Sequence, residues 1–572
     1  MNHFLQQAKQ RRTWIAPQFE VTSWEVVEPY FVQLIQFPIT SLSNLQQFLA
    51  MRSELDAVLE EDMAWRYIRM SCNTADAQAT LDFEFFVNSI QSHIYMYDNE
   101  LDRKFLQSPF VAQLPEKYSI MRREIQNRVE LFCKKNIPLF TELEQQEQEY
   151  GAIASQMTVE IDGEQKTLHQ AQVFLKSTDR EKRETVYRAI VTRRMADEQQ
   201  LNDLLTQLIA KRHEIALNAG FTNFRDYKFR ALNRFDYSKE DCFAFHSAIQ
   251  KIVPPLVEKL YKSRKEKLGV ERLQPFDLEV NIEGENIKKP FTDAQDLLQK
   301  SIRCFNDIKP EYGDFLQQMG KYKYLDLDSR IGKAPGGFNY PLYESNVPFI
   351  FMNAAGTQRD VETLMHEGGH ALHSHFSAHL PLVEFKSLPA EVAELASMSM
   401  ELIAMEHWHT FFNNAIDLQQ AKRSVLEGIL TTISWIAMID KFQHRLYENP
   451  QHSIEERTKM WQTIQTEFAV KNLDYTGFER YRDCGWQKQL HIFEVPLYYI
   501  EYGFAQLGAL ALWKNYKQNP ENTLRAYEEF LRQGNTKPIP ELYSIAGISF
   551  EFSYEYVNEI MSFLMEEIQK VT

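Results

Sequence analysis

The chain has 572 residues, 44% of them hydrophobic, and a formal net charge of −16. Its length allows several domains or one large, continuous helical enzyme. The negative charge argues against a nucleic-acid partner, because such a partner needs a basic face on the protein. Polar residues interrupt the start of the chain and no run of 18 apolar residues occurs. Neither a signal peptide nor a membrane span is therefore expected.

The five cysteines are odd in number and widely spaced, and no C-x-x-C motif occurs. Disulfides and a zinc site built from cysteines are therefore not expected. Reduced thiols in a reducing compartment are the simplest interpretation of this pattern. The predicted localisation is cytoplasmic.

The first part of the chain is predicted to form long amphipathic helices. Apolar residues recur at three- and four-residue spacing in 42–59 and again in 83–101. Two short segments, 158–161 and 165–168, then flank Asp162-Gly163, which is a strong signal for a β-hairpin. Helical patterns continue beyond this hairpin.

The most strand-like part of the chain is 321–351. It contains a glycine-rich stretch, Gly332–Phe338, which lacks the residue order of a phosphate-binding loop and is predicted to form a tight turn. Pro348 in the last extended segment predicts a strand at the edge of a sheet. An edge strand could receive an extended peptide by β-addition, and an ordinary packed strand is the alternative. Since the chain is helical again beyond residue 380, the predicted fold class is mostly α with a small sheet.

The clearest chemical motif is His366-Glu367-Gly368-Gly369-His370, which fits the pattern H-E-x-x-H. Asp360 is the predicted N-cap of the helix that carries it. Residues four apart share a helix face, so the two histidines can bind one zinc ion beside a glutamate general base. Each glycine costs about 1 kcal/mol relative to alanine in a helix interior, and the close approach of another backbone would explain this cost. A chance match on a surface helix is the alternative.

A catalytic zinc site with these two histidines needs a third protein ligand. The segment 389–405 carries Glu391, Glu394 and Glu401 along one stripe of a helix that is otherwise apolar. Buried carboxylates need partners or a metal ion. Glu401 lies about 10 Å beyond Glu394 along the helix axis, so the two cannot bind the same ion. Because Glu391 lies in the first turn, where acids are common, Glu394 is the predicted third ligand.

Other titratable residues near the motif receive weaker assignments. Glu362, four residues before His366, is either an outer partner that orients this imidazole or a first-turn charge. His373, His375 and His379 are interpreted as packing or surface residues, because a second metal ion would need more carboxylates nearby.

With these motifs, the chain resembles the oligoendopeptidase F family, which is related to thimet oligopeptidase and neurolysin. The resemblance rests first on Thr363–Ala371 and on Ala390–Ser397, which contains Glu394. It is supported by matches in Phe276–Leu278, in Gly332–Phe338 with Phe349–Asn353, and in His491–Gly508. It covers residues 150–570.

The resemblance implies a two-lobed helical metallopeptidase fold that encloses a deep channel, with the small sheet next to the zinc-binding helix. Residues 1–180 would be an N-terminal helical region that forms part of the channel wall. Residues 181–572 would be the catalytic region.

The resemblance also implies a zinc endopeptidase that cleaves short oligopeptides and holds one Zn²⁺ per chain. His366, His370 and Glu394 would be the metal ligands. Glu367 would be the general base that activates the attacking water.

His491 and nearby tyrosines would hydrogen-bond the tetrahedral intermediate, by the same resemblance. The family usually spaces aromatic residues through this segment, and here Ile500 interrupts the pattern. Tyr499 and Tyr502, three residues apart on one helical face, are favoured. Tyr498, four residues before Tyr502, stays open.

Two alternative functions remain at this point. One is a zinc metallocarboxypeptidase, and the other is a catalytically silent, zinc-dependent peptide-binding protein. The intact Glu367 argues against the silent protein. The expected partners are oligopeptide substrates, with no nucleic acid and no membrane, and the sequence predicts no oligomeric state.

Overall fold

The computed structural model describes residues 3–282 and 289–571, and these residues are mostly helical, as predicted. None of the described helices is both long and apolar enough to cross a membrane. The helices in chain order are α1 (His3–Arg11), α2 (Trp24–Gln36), α3 (Leu42–Cys72), α4 (Ala77–Phe86), α5 (Ser92–Gln107), α6 (Ser119–Leu131), α7 (Asn136–Ser155), α8 (Leu168–Gln172), α9 (Arg180–Ala196), α10 (Glu198–Asn218), α11 (Phe224–Ala231), α12 (Lys239–Leu268), α13 (Ala294–Ile308), α14 (Pro310–Lys321), α15 (Gln358–Ser377), α16 (Ala390–Met405), α17 (Ala415–Glu448), α18 (Ile454–Glu467), α19 (Glu479–Asp483), α20 (Leu490–Glu494), α21 (Ile500–Gln518), α22 (Pro520–Gln533), α23 (Ile539–Ile545) and α24 (Tyr554–Lys570).

The chain divides into two compact units, and each unit combines segments that lie far apart in sequence. The first unit comprises Met1–Phe132, Lys288–Lys422 and Ala505–Phe550. The second unit comprises Cys133–Ile287, Arg423–Phe504 and Glu551–Thr572. The functional division into residues 1–180 and 181–572 stays a prediction.

Helix α3 packs with α2 and α5 in the N-terminal part of the first unit. Ser41 caps it, because the Asn44 N–H donates to the Ser41 hydroxyl at 3.1 Å. Its apolar positions join those of α2 and α5 in one buried core. The buried guanidinium of Arg52 crosses this core to Asp102, with 2.7 Å between Nη1 and Oδ1. The buried charge is therefore paired.

The predicted hairpin lies in the second unit. Strands β1 (Thr158–Ile161) and β2 (Glu164–Thr167) pair antiparallel. Asp162 and Gly163 form the turn, with φ of 54° and 82°. A two-residue turn with two positive φ values matches the right-handed twist of paired strands, which is why Asp-Gly favours it.

A three-stranded sheet in the first unit lies against α15. It contains β3 (Leu325–Asp328), β4 (Phe338–Leu342) and β5 (Val347–Ala354), in the order β3-β5-β4. The edge position predicted from Pro348 is wrong, because β5 is the central strand. The proline is tolerated because β3 pairs with β5 only from Ile350 onward. The N–H that Pro348 lacks would therefore have no partner in β3.

The glycine-rich stretch forms the connection from β3 to β4. Gly332 and Gly336 have φ of 82° and 96°, which other residues rarely adopt. Lys333 extends back to the sheet, where its Nζ donates to the carbonyl oxygens of Asp326 (3.0 Å) and Met352 (2.5 Å). The stretch is therefore a turn of the sheet, as predicted.

Candidate metal centre and a separate His–Tyr cluster

The H-E-x-x-H motif lies in α15, whose N-cap is Thr357. The Asp360 N–H donates to the Thr357 hydroxyl at 3.3 Å, and the Thr357 N–H donates to Asp360 Oδ2 at 2.7 Å. The prediction of Asp360 as N-cap is wrong. This reciprocal capping box needs the acid at the third helical position, and the cap itself is a threonine.

Helices α15 and α16 bring the three predicted ligands together. His366 Nε2 lies 3.4 Å and His370 Nε2 lies 3.9 Å from the same oxygen, Glu394 Oε2. The two imidazole rings are nearly perpendicular, with centroids 4.8 Å apart. One ligand atom from each residue lies within 4.8 Å of the other two. These three side chains could therefore hold one metal ion.

The two glycines of the motif permit this approach. A Cβ atom at Gly369 would lie 2.6 Å from Ser397 Cα and 2.9 Å from the Ala396 carbonyl oxygen in α16. A Cβ atom at Gly368 would lie 2.6 Å from a ring atom of Phe305. The expected close approach of a backbone is therefore confirmed at Gly369, whereas Gly368 makes room for an aromatic ring.

Glu367 is buried beside the two histidines, with 6% of its surface exposed. Burial raises the pKa of its carboxyl group to about 7, although the neighbouring His366 opposes this shift. Its backbone carbonyl accepts a hydrogen bond from Asn339 Nδ2 of β4 at 3.3 Å. The sheet and the helix are thus joined at the residue predicted to be the general base.

Glu401 is the partner of His366 that sequence reasoning missed. His366 Nδ1 lies 2.6 Å from Glu401 Oε1, so Nε2 faces Glu394. Burial lowers the pKa of His366, but the Glu401 carboxylate outweighs this effect and holds it at about 9. The sequence signal for this partner was that Glu401 lies on the same helical stripe as Glu394, two turns further along α16.

The proposed orienting role of Glu362 is not observed. Its carboxylate accepts hydrogen bonds from Arg359 Nη1 (2.8 Å) and Gln358 Nε2 (2.9 Å) within α15. These partners lie in the first turn of the helix. The alternative interpretation, a first-turn charge, is also wrong, because α15 begins at Gln358 and Asp360 is the acid of its first turn.

We expect Glu401→Gln to weaken binding of the zinc ion that the resemblance implies by roughly 10- to 100-fold, the scale for outer partners of metal-bound histidines. The amide keeps the shape of the side chain but loses the charge that makes the imidazole a stronger ligand. Titration against a competing chelator measures this loss. Glu362→Gln is the matched control and should bind zinc as the unmodified chain does. A larger loss in the control would return the orienting role to Glu362.

The other histidines of α15 and its C-terminal end are packing or surface residues, as interpreted from the sequence. His373 is buried against the Phe530 ring, and burial lowers its pKa to about 3. His375 packs at a tilt against Phe315, with 4.4 Å between ring centroids. His379 is exposed.

His491 and three tyrosines form a cluster in the second unit. The His491 ring centroid lies 4.6 Å from Tyr499, 5.8 Å from Tyr502 and 6.3 Å from Tyr498. Tyr499 and Tyr502 do not share a face of one helix, because α21 begins at Ile500. Tyr498 and Tyr499 therefore precede the helix, and all three tyrosines reach the same imidazole.

A hydrogen-bond chain fixes the tautomer of His491. Trp435 Nε1 donates to Gln489 Oε1 at 2.7 Å, which orients the amide. Gln489 Nε2 then lies 2.7 Å from His491 Nδ1 and donates to it. Because burial lowers the pKa of His491 to about 4, the ring is neutral at neutral pH and carries its proton on Nε2.

The turn that precedes the tyrosines is strained and firmly held. Leu497 has φ of 64°, a region that leucine rarely adopts. Its N–H donates to Gln443 Oε1 at 2.8 Å, and its carbonyl oxygen accepts from Arg234 Nη2 at 2.5 Å. Arg234 also pairs with Glu501 at 2.7 Å, one residue before Tyr502. These buried partners position the tyrosine segment.

Comparisons with known proteins identify the family. The family model described as "Peptidase family M3" matches residues 173–562, more than half of the chain, and "Peptidase M3 N-terminal domain" matches residues 17–132. An oligoendopeptidase F homolog of Borreliella burgdorferi is 24% identical over 410 residues, which is 70% of this chain and 67% of the relative. Oligopeptidase PepF of Bacillus subtilis is 22% identical over 380 residues, which is 66% of this chain and 55% of the relative.

A solved structure shares the fold over nearly the whole chain. It is titled "PZ peptidase A with inhibitor 2", and its TM-score is 0.88 at 27% identity. The match covers 97% of this chain and 98% of that one. The chain therefore belongs to peptidase family M3, in the oligoendopeptidase F group of metallopeptidases.

Proposed function

We propose that the protein is a zinc-dependent endopeptidase that hydrolyses internal bonds of short oligopeptides. The observation that carries this proposal is the convergence of His366, His370 and Glu394 beside the buried Glu367. Two imidazole nitrogens and one carboxylate oxygen are a donor set of catalytic zinc sites, which keep a fourth position open. The contact from Glu401 to His366 Nδ1 leaves Nε2 for the metal, so the residues fit zinc.

The proposed chemistry divides between the metal and Glu367. A bound zinc ion would supply Lewis acidity, which polarises the scissile carbonyl and acidifies a water molecule. Glu367 accepts the proton of the attacking water and later passes it to the leaving amine. A group that must accept and then donate a proton works best with a pKa near the operating pH, and burial moves the pKa of Glu367 in that direction.

The His–Tyr cluster is proposed to stabilise the oxyanion. His491 can donate from Nε2, because Gln489 occupies Nδ1. Burial raises the pKa of Tyr499 to about 12, so its phenol also keeps its proton at neutral pH. Neutral donors that are already oriented lower the energy of the charged intermediate without reorganising.

We expect Tyr502→Phe to lower kcat by roughly 10²- to 10³-fold, the scale for loss of one oxyanion donor. KM and the melting temperature should change little, because the substitution removes one oxygen and keeps the ring. Steady-state kinetics with one purified peptide measure both constants. Tyr498→Phe is the comparison variant, because Tyr498 stays an open candidate and its ring centroid lies 6.3 Å from that of His491. If Tyr498→Phe shows the larger loss of kcat, the donor is Tyr498.

The sheet offers a place for the substrate backbone. Strand β4 is an edge strand, and it is tied to α15 through Asn339 and the Glu367 carbonyl. An extended peptide could pair with β4 by β-addition and so lie close to Glu367. The β-addition first considered for β5 is therefore proposed for β4.

Mass-spectrometric digestion of a mixed peptide library tests the proposed activity. We expect cleavage of internal bonds in peptides with free or amidated C-termini, and no cleavage of a folded protein without flexible segments. The names of the relatives, oligoendopeptidase and oligopeptidase, support this size limit. Activity that requires a free C-terminal carboxylate would identify a carboxypeptidase. Binding of peptides without any cleavage would identify a silent binding protein.

A further inference from the structure

The second unit contains a buried cluster of titratable side chains that the proposed peptidase chemistry does not use. Cys242 and His246 lie four residues apart on α12, and Asp440 and His444 lie four apart on α17. Each pair therefore projects from one face of its helix. At most 2% of any of these side chains is exposed.

Three of these residues have the geometry of metal ligands. One ligand atom each of Cys242, Asp440 and His444 lies within 4.8 Å of the other two. Ligand atoms around a tetrahedral zinc ion stand roughly 3.3–3.8 Å apart, given bond lengths of about 2.0–2.3 Å. Small side-chain adjustments would close the remaining difference.

The hydrogen bonding in the cluster is incomplete without a ligand. His246 Nε2 lies 2.8 Å from Asp440 Oδ2 and bonds to it. Asp440 Oδ1 has no hydrogen-bond partner. Neither ring nitrogen of His444 makes a well-aligned hydrogen bond, although His444 Nε2 lies 3.2 Å from Asp440 Oδ2. Buried polar atoms are rarely left in this state. The aromatic rings of Phe229 and Phe243 pack against His444 and supply no polar partner.

We propose that Cys242, Asp440 and His444 bind a second divalent transition metal, most simply Zn²⁺. A thiolate, a carboxylate and an imidazole are ligands of zinc, and the two negative charges neutralise the ion in a buried site. His246 acts as the outer partner, since it holds Oδ2 and leaves Oδ1 for the metal. This proposal does not depend on the proposed peptidase activity.

The site serves structure rather than turnover. Its burial gives a substrate no access to the ion, and its ligands tie α12 to α17. Gln443, the neighbour of His444, also accepts the N–H of Leu497. The metal would therefore support the turn that positions the tyrosine segment.

A zinc site built from several cysteines is not expected from the sequence, and this site needs only one cysteine. The signal was present as Cys-x-x-x-His and Asp-x-x-x-His at helical spacing. Because the two pairs lie about 200 residues apart, only the packing of α12 against α17 makes one cluster of them.

Metal counting in the 572-residue chain tests the proposal without any substitution in the cluster. The unmodified chain, purified from zinc-supplemented culture, should contain two zinc ions. One of them should be lost when the candidate catalytic site is removed. A double variant, His366→Ala with His370→Ala, removes that site and should retain one zinc ion. A zinc-free double variant would overturn the proposal. Equal zinc content in both proteins would leave this site standing and contradict zinc at the H-E-x-x-H motif.

Cobalt(II) substitution in the double variant identifies the ligand. A thiolate-to-cobalt charge-transfer band should appear, because the H-E-x-x-H site contains no cysteine. Cys242→Ser should abolish this band, and Cys304→Ser, a control at another fully buried cysteine, should retain it. His444→Gln, which keeps the thiol, should also lower the zinc content. A cobalt spectrum without the band, or a band unaffected by Cys242→Ser, would show that the cluster is only a hydrogen-bonded network.

Discussion

Glu367→Gln should abolish nearly all peptide hydrolysis while the protein keeps its zinc and its fold. The amide has the shape of the carboxylate, but it cannot accept the proton of the attacking water. General acid–base groups contribute roughly 10²- to 10⁴-fold to rates, and Glu367 is proposed to act in two successive proton transfers. The loss of kcat should therefore lie at or above the upper end of this range. Metal content and single-turnover kinetics on one peptide measure both parts of the prediction.

The matched control for this variant is Glu362→Gln on the same helix. Glu362 is bonded to Arg359 and Gln358 and has no proposed part in proton transfer. The Glu362→Gln variant should therefore retain most of the peptidase activity. The variant also separates the enzyme from a silent peptide-binding protein, which would bind peptides equally with and without Glu367. An active, zinc-loaded Glu367→Gln protein would refute the assignment of the general base.

Glu394→Ala should remove zinc from the H-E-x-x-H site and abolish activity with it. Glu394 Oε2 is the oxygen that both His366 Nε2 and His370 Nε2 approach. Loss of an outer partner weakens metal binding by up to roughly 100-fold. Loss of one of the three protein ligands should weaken zinc binding by considerably more. The affinity is measured by competition with a chelator. The activity at saturating zinc shows whether any catalysis returns.

Glu391→Ala is the control for Glu394→Ala, because both carboxylates lie on α16 and both are buried. Removing Glu391 should reduce the melting temperature or the rate and leave zinc affinity largely unchanged. The reverse order of zinc affinities would make Glu391 the third ligand. It would also mean that the helix phase inferred from the sequence is wrong by about one turn.

Several expectations from the sequence remain predictions. These are the functional boundary at residues 180 and 181, the cytoplasmic localisation, and the lack of nucleic-acid and membrane partners. The identity of the metal as zinc and the roles of His491, Tyr499 and Tyr502 are proposals that the experiments above can test.

The sequence by itself determined the features that depend on neighbouring residues. The helical class, the hairpin at Asp162-Gly163 and the convergence of His366 and His370 on one helix face follow from spacing and turn chemistry. The glycine pair also predicted a close backbone contact, which Gly369 makes with α16. Such features are local, because the chain itself brings these residues together.

The tertiary structure alone decided which distant groups meet. It made β5 the central strand despite Pro348, because pairing with β3 begins only at Ile350. It gave His366 the partner Glu401 rather than the nearer Glu362. Sequence periodicity reports which residues share a face of one helix, but not which helix packs against that face or in what register. The packing of helices against one another supplies that information, and here it set both the outer partner of the metal centre and the second buried cluster.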